Sequence, residues 1–215
     1  MDKIEISRAI ARNLLQIKAI KFNFEEYFTW ASGWKSPIYC DNRISMSDVG
    51  LRNMIRDAFI ETIQTAFPDV EVIAGVATGA IAQSALVADR LNLPLIYVRE
   101  KAKDHGMKKV IEGIITPGQK AVILEDLIST GGSSLKATHE VRNAGAQVLG
   151  MTAIFTYEFP IAKNYFNDYN CELHTLSSYS TLIEVAREDG YINQKEVDML
   201  KQWHESDYLK QYIDF

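Results

Sequence analysis

Hydrophobic positions change their period along this chain, and each change marks an element. Ile4, Ile6, Ala9, Ile10, Asn13, Leu14 and Ile17 fall on one stripe, interleaved with Asp2, Lys3, Glu5, Arg8, Arg12 and Lys18. That spacing predicts an amphipathic helix, and the scattered charges exclude a signal peptide. Over residues 20–43 the stripe gives way to aromatics, namely Phe22, Phe24, Tyr27, Phe28, Trp30, Trp34 and Tyr39, broken by Ser32-Gly33 and Ser36-Pro37. Strand, turn and strand are the predicted local form. Ser47 or Asp48 then caps a helix to about Ala66, with Val49, Met54, Ile55, Ala58, Phe59 and Ile63 inward and Pro68 closing it.

From there, short apolar runs and helical stretches take turns. Strands are predicted at 70–76, 95–99, 110–115, 121–124, 147–155 and 171–176, with helices at 81–91 and 135–144. Beyond 176 the chain reads as helical, with Leu182, Val185, Ala186, Val197, Leu200 and Trp203 inward. Runs as short and branched as 121–124 suit strands buried on both faces of a parallel sheet. The pattern therefore predicts an α/β fold, a central mostly parallel sheet flanked by helices. Its 215 residues fit one domain with a small appendage, and no apolar run approaches membrane-spanning length.

Net charge is −5, which argues against a general attraction to nucleic acid or anionic lipid. Against that background Arg99, Lys101, Lys103, His105, Lys108 and Lys109 form a basic cluster within a charged segment that lacks apolar periodicity and carries Gly106. A mobile loop is predicted there. The two cysteines, Cys40 and Cys171, lie far apart without metal-ligand spacing, which fits a reduced cytoplasmic compartment.

Candidate chemistry centres on residues 121–134, AVILEDLISTGGSS. Glu125 and Asp126 are expected where the strand ends, and Ser129-Thr130-Gly131-Gly132-Ser133-Ser134 turns into the next helix. Glycines admit a ligand close to the backbone, and a helix N-terminus presents unpaired N–H groups to a phosphate. Carboxylates repel phosphate but accept hydrogen bonds from hydroxyls. A sugar phosphate satisfies both, with ribose hydroxyls on Glu125 and Asp126 and its phosphate in the turn. A glycine-rich helix start beside a surface acidic pair accounts for the same residues. No Lys follows the glycines, so the GxxxxGK[ST] nucleotide loop is excluded.

ILEDLISTGGSS, residues 123–134, resembles the phosphoribosyl diphosphate (PRPP) binding motif of the type I phosphoribosyltransferases. FTWASGWKSPIYCDNR at 28–43 and YVREKAKDHG at 97–106 narrow the resemblance to the orotate phosphoribosyltransferases, over nearly the whole chain. The resemblance implies a type I phosphoribosyltransferase fold in one domain over 1–215, with about 20–45 contributing a hood over the base and about 100–110 a catalytic loop. It implies PRPP contacts from Arg99, Lys101, Lys103, His105, Thr78, Gly79, Glu125, Asp126, Leu127, Ile128, Ser129, Thr130, Gly131, Gly132 and Ser133. Orotate would meet Ser129, Tyr39, Cys40 and Tyr157, the last standing where some orotate enzymes carry an Arg. Gly79 stands where many relatives carry a Lys, and Glu100 where the family often has one.

Further implications are catalysis by Lys103, His105, Glu125 and Asp126, and Mg²⁺ held mainly by PRPP and water without direct protein ligands. A cytoplasmic homodimer sharing the basic loop between subunits also follows from the resemblance. The implied reaction moves the phosphoribosyl group from PRPP to orotate, giving orotidine 5'-phosphate and pyrophosphate. Two rivals stay open: a phosphoribosyltransferase for another base, and a non-catalytic PRPP-binding regulator.

Overall fold

A computed structural model describes residues 2–30, 32–100 and 110–206. Asp2 caps α1 (Lys3–Gln16): its carboxylate accepts the Glu5 N–H at 2.8 Å while the Glu5 carboxylate accepts the Asp2 N–H at 3.0 Å. This reciprocal cap satisfies two donors that a helix start otherwise leaves open. The aromatic segment forms two short antiparallel pairs. β1 (Ile20–Phe22) pairs with β4 (Ile38–Cys40), and β2 (Phe28–Thr29) with β3 (Lys35–Ser36). A 3-10 turn over Asn42–Ser47 leads to α2 (Val49–Ala66), whose N-cap is Asp48.

The alternating part follows as β5 (Val72–Val76), α3 (Ile81–Leu91), β6 (Leu95–Val98), β7 (Ile111–Glu112), β8 (Lys120–Ile128), α4 (Gly132–Asn143) and β9 (Gln147–Thr156). α5 (Pro160–Asp168), β10 (Leu173–Ser178), α6 (Tyr179–Glu188) and α7 (Gln194–Glu205) complete it. The six strands β5 to β10 make one sheet in the order β10-β9-β8-β5-β6-β7, parallel throughout except for the β6–β7 pair.

Alternate residues of β8 feed opposite faces, as a pleated strand requires. Val122 and Leu124 join the core under α1, α2, α6 and α7, and Ala121 and Ile123 join the core with Leu135, Val141 and Phe166 of α4 and α5. That is why the run reads as continuously apolar.

Three expectations need correction. β8 is nine residues long and carries Glu125 and Asp126 inside it, because ten-residue β9 keeps pairing as far as Leu127↔Phe155 and Ile128↔Thr156. The strand expected over 110–115 shrinks to two residues on the sheet edge, where it has one partner and Ile114 is exposed. α5 was not anticipated, although Pro160 in its first turn is a start signal, and it buries Ala162 and Phe166.

The N-terminal strands are tied to the sheet by an aromatic cluster. Trp30 lies 5.0 Å from Trp34 and 4.9 Å from Tyr157, while Trp203 of α7 lies 5.4 Å from Trp34. Trp203 also donates its indole N–H to the Lys35 carbonyl at 3.0 Å. Trp203→Ala is expected to cost about 3–5 kcal/mol in urea-induced unfolding, the range for an aromatic core truncation. A loss below about 1 kcal/mol would mean that this cluster does not hold the N-terminal strands down.

Candidate active site

The sheet reverses its winding between β5 and β8: the chain leaves β5 for β6 on one side, and β8 continues to β9 and β10 on the other. Helices must then diverge above the carboxyl ends of these two strands, and a crevice opens there. A cleft of about 930 Å³ occupies that position, lined by Cys40, Asp41, Arg43, the 76–79 turn, Arg99, Glu100, Val110, Glu125, Asp126, Leu127, Thr130, Gly132, Ser133 and Lys136, among others.

β5 pairs with β8 only up to Gly75↔Leu124, so the next two residues of β8 stand on a strand with one neighbour. Being consecutive, they point to opposite faces. Glu125 turns toward α4 and accepts the Ser134 hydroxyl at 2.9 Å. Asp126 turns toward the 77–80 turn, so close that a Cβ added to Gly79 would lie 2.2 Å from its Oδ2. A side chain at this position would require the Asp126 carboxylate to move aside. The Ala77–Thr78 peptide in this turn is cis.

The two carboxyls differ in environment. Glu125 is buried, and burial pushes its carboxyl well above the ordinary value of 4.5, with the charge of Asp126 adding to the rise. The Asp126 N–H donates to Glu125 Oε1 at 2.9 Å. Asn42 Nδ2 donates to the Asp126 carbonyl at 2.6 Å, so side chains satisfy both backbone groups of this residue.

Beyond β8, Gly131 adopts φ +86, and a Cβ there would also meet Phe166 at 2.9 Å. α4 has no side-chain N-cap, so its first N–H groups remain unpaired by a cap beside Thr130, Gly132 and Ser133. Aligned peptide dipoles and free donors make this end attractive to an anion.

The structure thus brings together Cys40, Thr78, Gly79, Arg99, Glu125, Asp126, Leu127, Thr130, Gly132 and Ser133. Ile128 is fully buried beneath the turn, and Ser129 and Gly131 shape it without lining the cleft. Lys101, Lys103 and His105 lie outside the described residues. Tyr39 does not line the cleft; its half-exposed ring leans on Phe28 at 5.7 Å. Tyr157 is a correction. Its ring is 1% exposed, stacked on Phe159 at 5.5 Å, and its carbonyl is 2.6 Å from His204 Nε2. At the end of β9 the pleat directs it into the aromatic core, away from the cleft.

Arg43, Lys136 and Asn42 were missed. Arg43 lines the cleft while its guanidinium holds Asp41 at 2.7 Å and keeps that carboxyl below the usual range. Lys136 sits one helical turn after Gly132, a spacing that could have singled it out. Asn42 lies in the 28–43 motif, but its partner is 84 residues away, so its role there had no local signal.

A family model described as phosphoribosyl transferase domain matches residues 51–185. Orotate phosphoribosyltransferase of Cytophaga hutchinsonii is 51% identical over 200 residues, covering 93% of this chain and 96% of that one. Among solved structures, orotate phosphoribosyltransferase from Aeropyrum pernix superposes with a TM-score of 0.75 at 26% identity, covering 86% of this chain and 99% of that chain. UMP synthase of Leishmania donovani gives a TM-score of 0.78 at 23% identity, over 92% of this chain and 42% of that longer chain, a likeness of fold.

The raised Glu125 carboxyl predicts a pH signature. Above the ordinary carboxylate range the unfolded chain has lost this proton and the folded chain keeps it, so stability falls as pH rises through that window. Glu125→Gln keeps the shape without the proton and should flatten that fall in thermal denaturation followed across pH. Parallel wild-type and variant profiles would show that Glu125 ionises normally in the fold.

Proposed function

The chain belongs to the orotate phosphoribosyltransferases, within the phosphoribosyl transferase domain family, and we propose that the crevice between β5 and β8 is where it handles PRPP. It is a pentosyltransferase of pyrimidine biosynthesis, moving the 5-phosphoribosyl group from PRPP to orotate. A ring nitrogen of orotate gives up its proton and bonds to the anomeric carbon. The carbon–oxygen bond to pyrophosphate breaks with its electron pair, leaving orotidine 5'-phosphate.

The observation that carries the site assignment is the meeting of two unlike halves in one cleft: an uncapped helix start at Gly132-Ser133, and the carboxyls of Glu125 and Asp126. The first suits the 5'-phosphate, contacted by residues 127–133, and the second the ribose hydroxyls. As the glycosidic bond breaks, positive charge builds on the ribose, and the acidic side of the cleft favours it. Thr78 and Gly79 present backbone to the pyrophosphate. Cys40 stands on the base side, with Tyr39 and Ser129 close in sequence to lining residues.

Arg99 and the basic segment after it complete the charge balance. The Arg99 N–H donates to the Val110 carbonyl at 2.8 Å, and Arg99, Glu100 and Val110, the described residues flanking the basic segment in sequence, line the cleft. This supports roles for Lys103 and His105, with Lys101 assisting, in stabilising the leaving pyrophosphate and excluding water.

Among the described residues no three His, Cys, Asp or Glu side chains gather as a metal cage. Asp126 nevertheless offers hard oxygen donors at the cleft, which fits a Mg²⁺ held mostly by substrate and water. When bound, that ion would offset pyrophosphate charge. A homodimer with the basic loop shared between subunits, working in the cytoplasm, is the assembly we favour. Both cysteines are free and buried, and no helix among the described residues is long and apolar enough to cross a membrane.

With PRPP and Mg²⁺ present, the ultraviolet absorbance of orotate should fall, while adenine, hypoxanthine and uracil should give no nucleotide. Equal turnover of another base, or PRPP binding without pyrophosphate release, would overturn the assignment. Lys103→Ala should lower kcat by about 10²–10³-fold, the scale of a lost transition-state donor, with orotate KM within about twofold. Mixing it with an Asp126→Ala chain should restore activity if the loop is shared; no recovery in mixed dimers would refute sharing.

A further inference from the structure

We propose that Asn42 is a positioning residue for Asp126, an inference that rests on the reading of this cleft as the PRPP site. Asn42 opens the 3-10 turn that follows β4 and is 1% exposed. Its Nδ2 donates to the Asp126 carbonyl at 2.6 Å, and its Oδ1 accepts the Cys40 thiol at 3.2 Å. Both ends of the amide are therefore engaged, which fixes its orientation as well as its place.

The need for it follows from the uneven lengths of the strands. β5 stops pairing at Gly75↔Leu124, and the register with β9 passes from Glu125↔Ala153 to Leu127↔Phe155. Asp126 thus stands where a sheet neighbour has run out, and its partly buried carbonyl needs a donor from elsewhere. The Asn42 amide supplies the N–H that a longer β5 would have given. It fixes the backbone from which the Asp126 carboxylate projects, while Gly79 confines that carboxylate from the other side. Asn42 also stands next to Cys40 and Asp41, so the base wall and the ribose acid share one hydrogen-bonded unit.

The side chain of Asn42 bonds a main-chain atom of Asp126, so its effect on folding and its effect on ligand can be separated. Asn42→Leu, of similar size, should weaken PRPP binding in the presence of Mg²⁺ by about tenfold in calorimetry, the scale expected for a displaced contact. In an Asp126→Ala background the carbonyl remains, so Asn42→Leu should still lower Tm yet change PRPP affinity no further. Asn42→Asp, which loses the donor at constant volume, serves the same cycle if the Leu variant does not fold. The inference is overturned if Asn42 variants bind PRPP normally, or if they lose as much affinity without the Asp126 carboxylate as with it. PRPP affinity unchanged in Asp126→Ala alone would instead overturn the cleft reading itself, and this inference with it.

Discussion

β8 outlasts β5, and the working parts of this protein depend on that difference in length. While both strands run side by side, every residue from Ala121 to Leu124 is fully buried and the sheet is an ordinary core. Two residues later one neighbour is gone, the backbone has an open side, and polar groups must be met by something other than a strand. Asn42 and the side chain of Glu125 meet them. The same open side lets two carboxyls that point to opposite faces border a single cleft.

That arrangement places charge unevenly. Glu125 is pressed against α4 and keeps its proton above the usual range, whereas the opposite face gives Asp126 a glycine wall and a crevice. An adjacent pair of acids in a parallel strand therefore acts as two distinct groups, one hydrogen-bonded to Ser134 and one beside Gly79. Across from them lies the uncapped start of α4, so the cleft offers carboxyls on one side and a helix N-terminus on the other. PRPP, the ligand of orotate phosphoribosyltransferase chemistry, carries both hydroxyls and phosphates.

The short N-terminal strands depend on a different interaction. β2 and β3 are two residues each, too short to stand by themselves. They are held because Trp30 and Trp34 pack into a cluster with Tyr157, Phe159 and Trp203, elements drawn from three distant parts of the chain. The cost of that anchoring is that Tyr157, at a strand end beside the cleft in sequence, is consumed by packing.

Sequence by itself determined the alternation of strands and helices, a cap at Ser47 or Asp48, the buried β8 run and the Gly-Gly turn into α4, because each rests on neighbours a few residues apart. The motif over 123–134 stood out for the same reason: its residues are close neighbours in sequence. Tertiary structure alone decided that β8 continues past the acids, since its length is set by β9. It also decided that Tyr157 faces the core, and that Asn42 reaches Asp126 across the fold. Those outcomes depend on which strand runs out first and on which face a pleat presents, and both are fixed by partners remote along the chain.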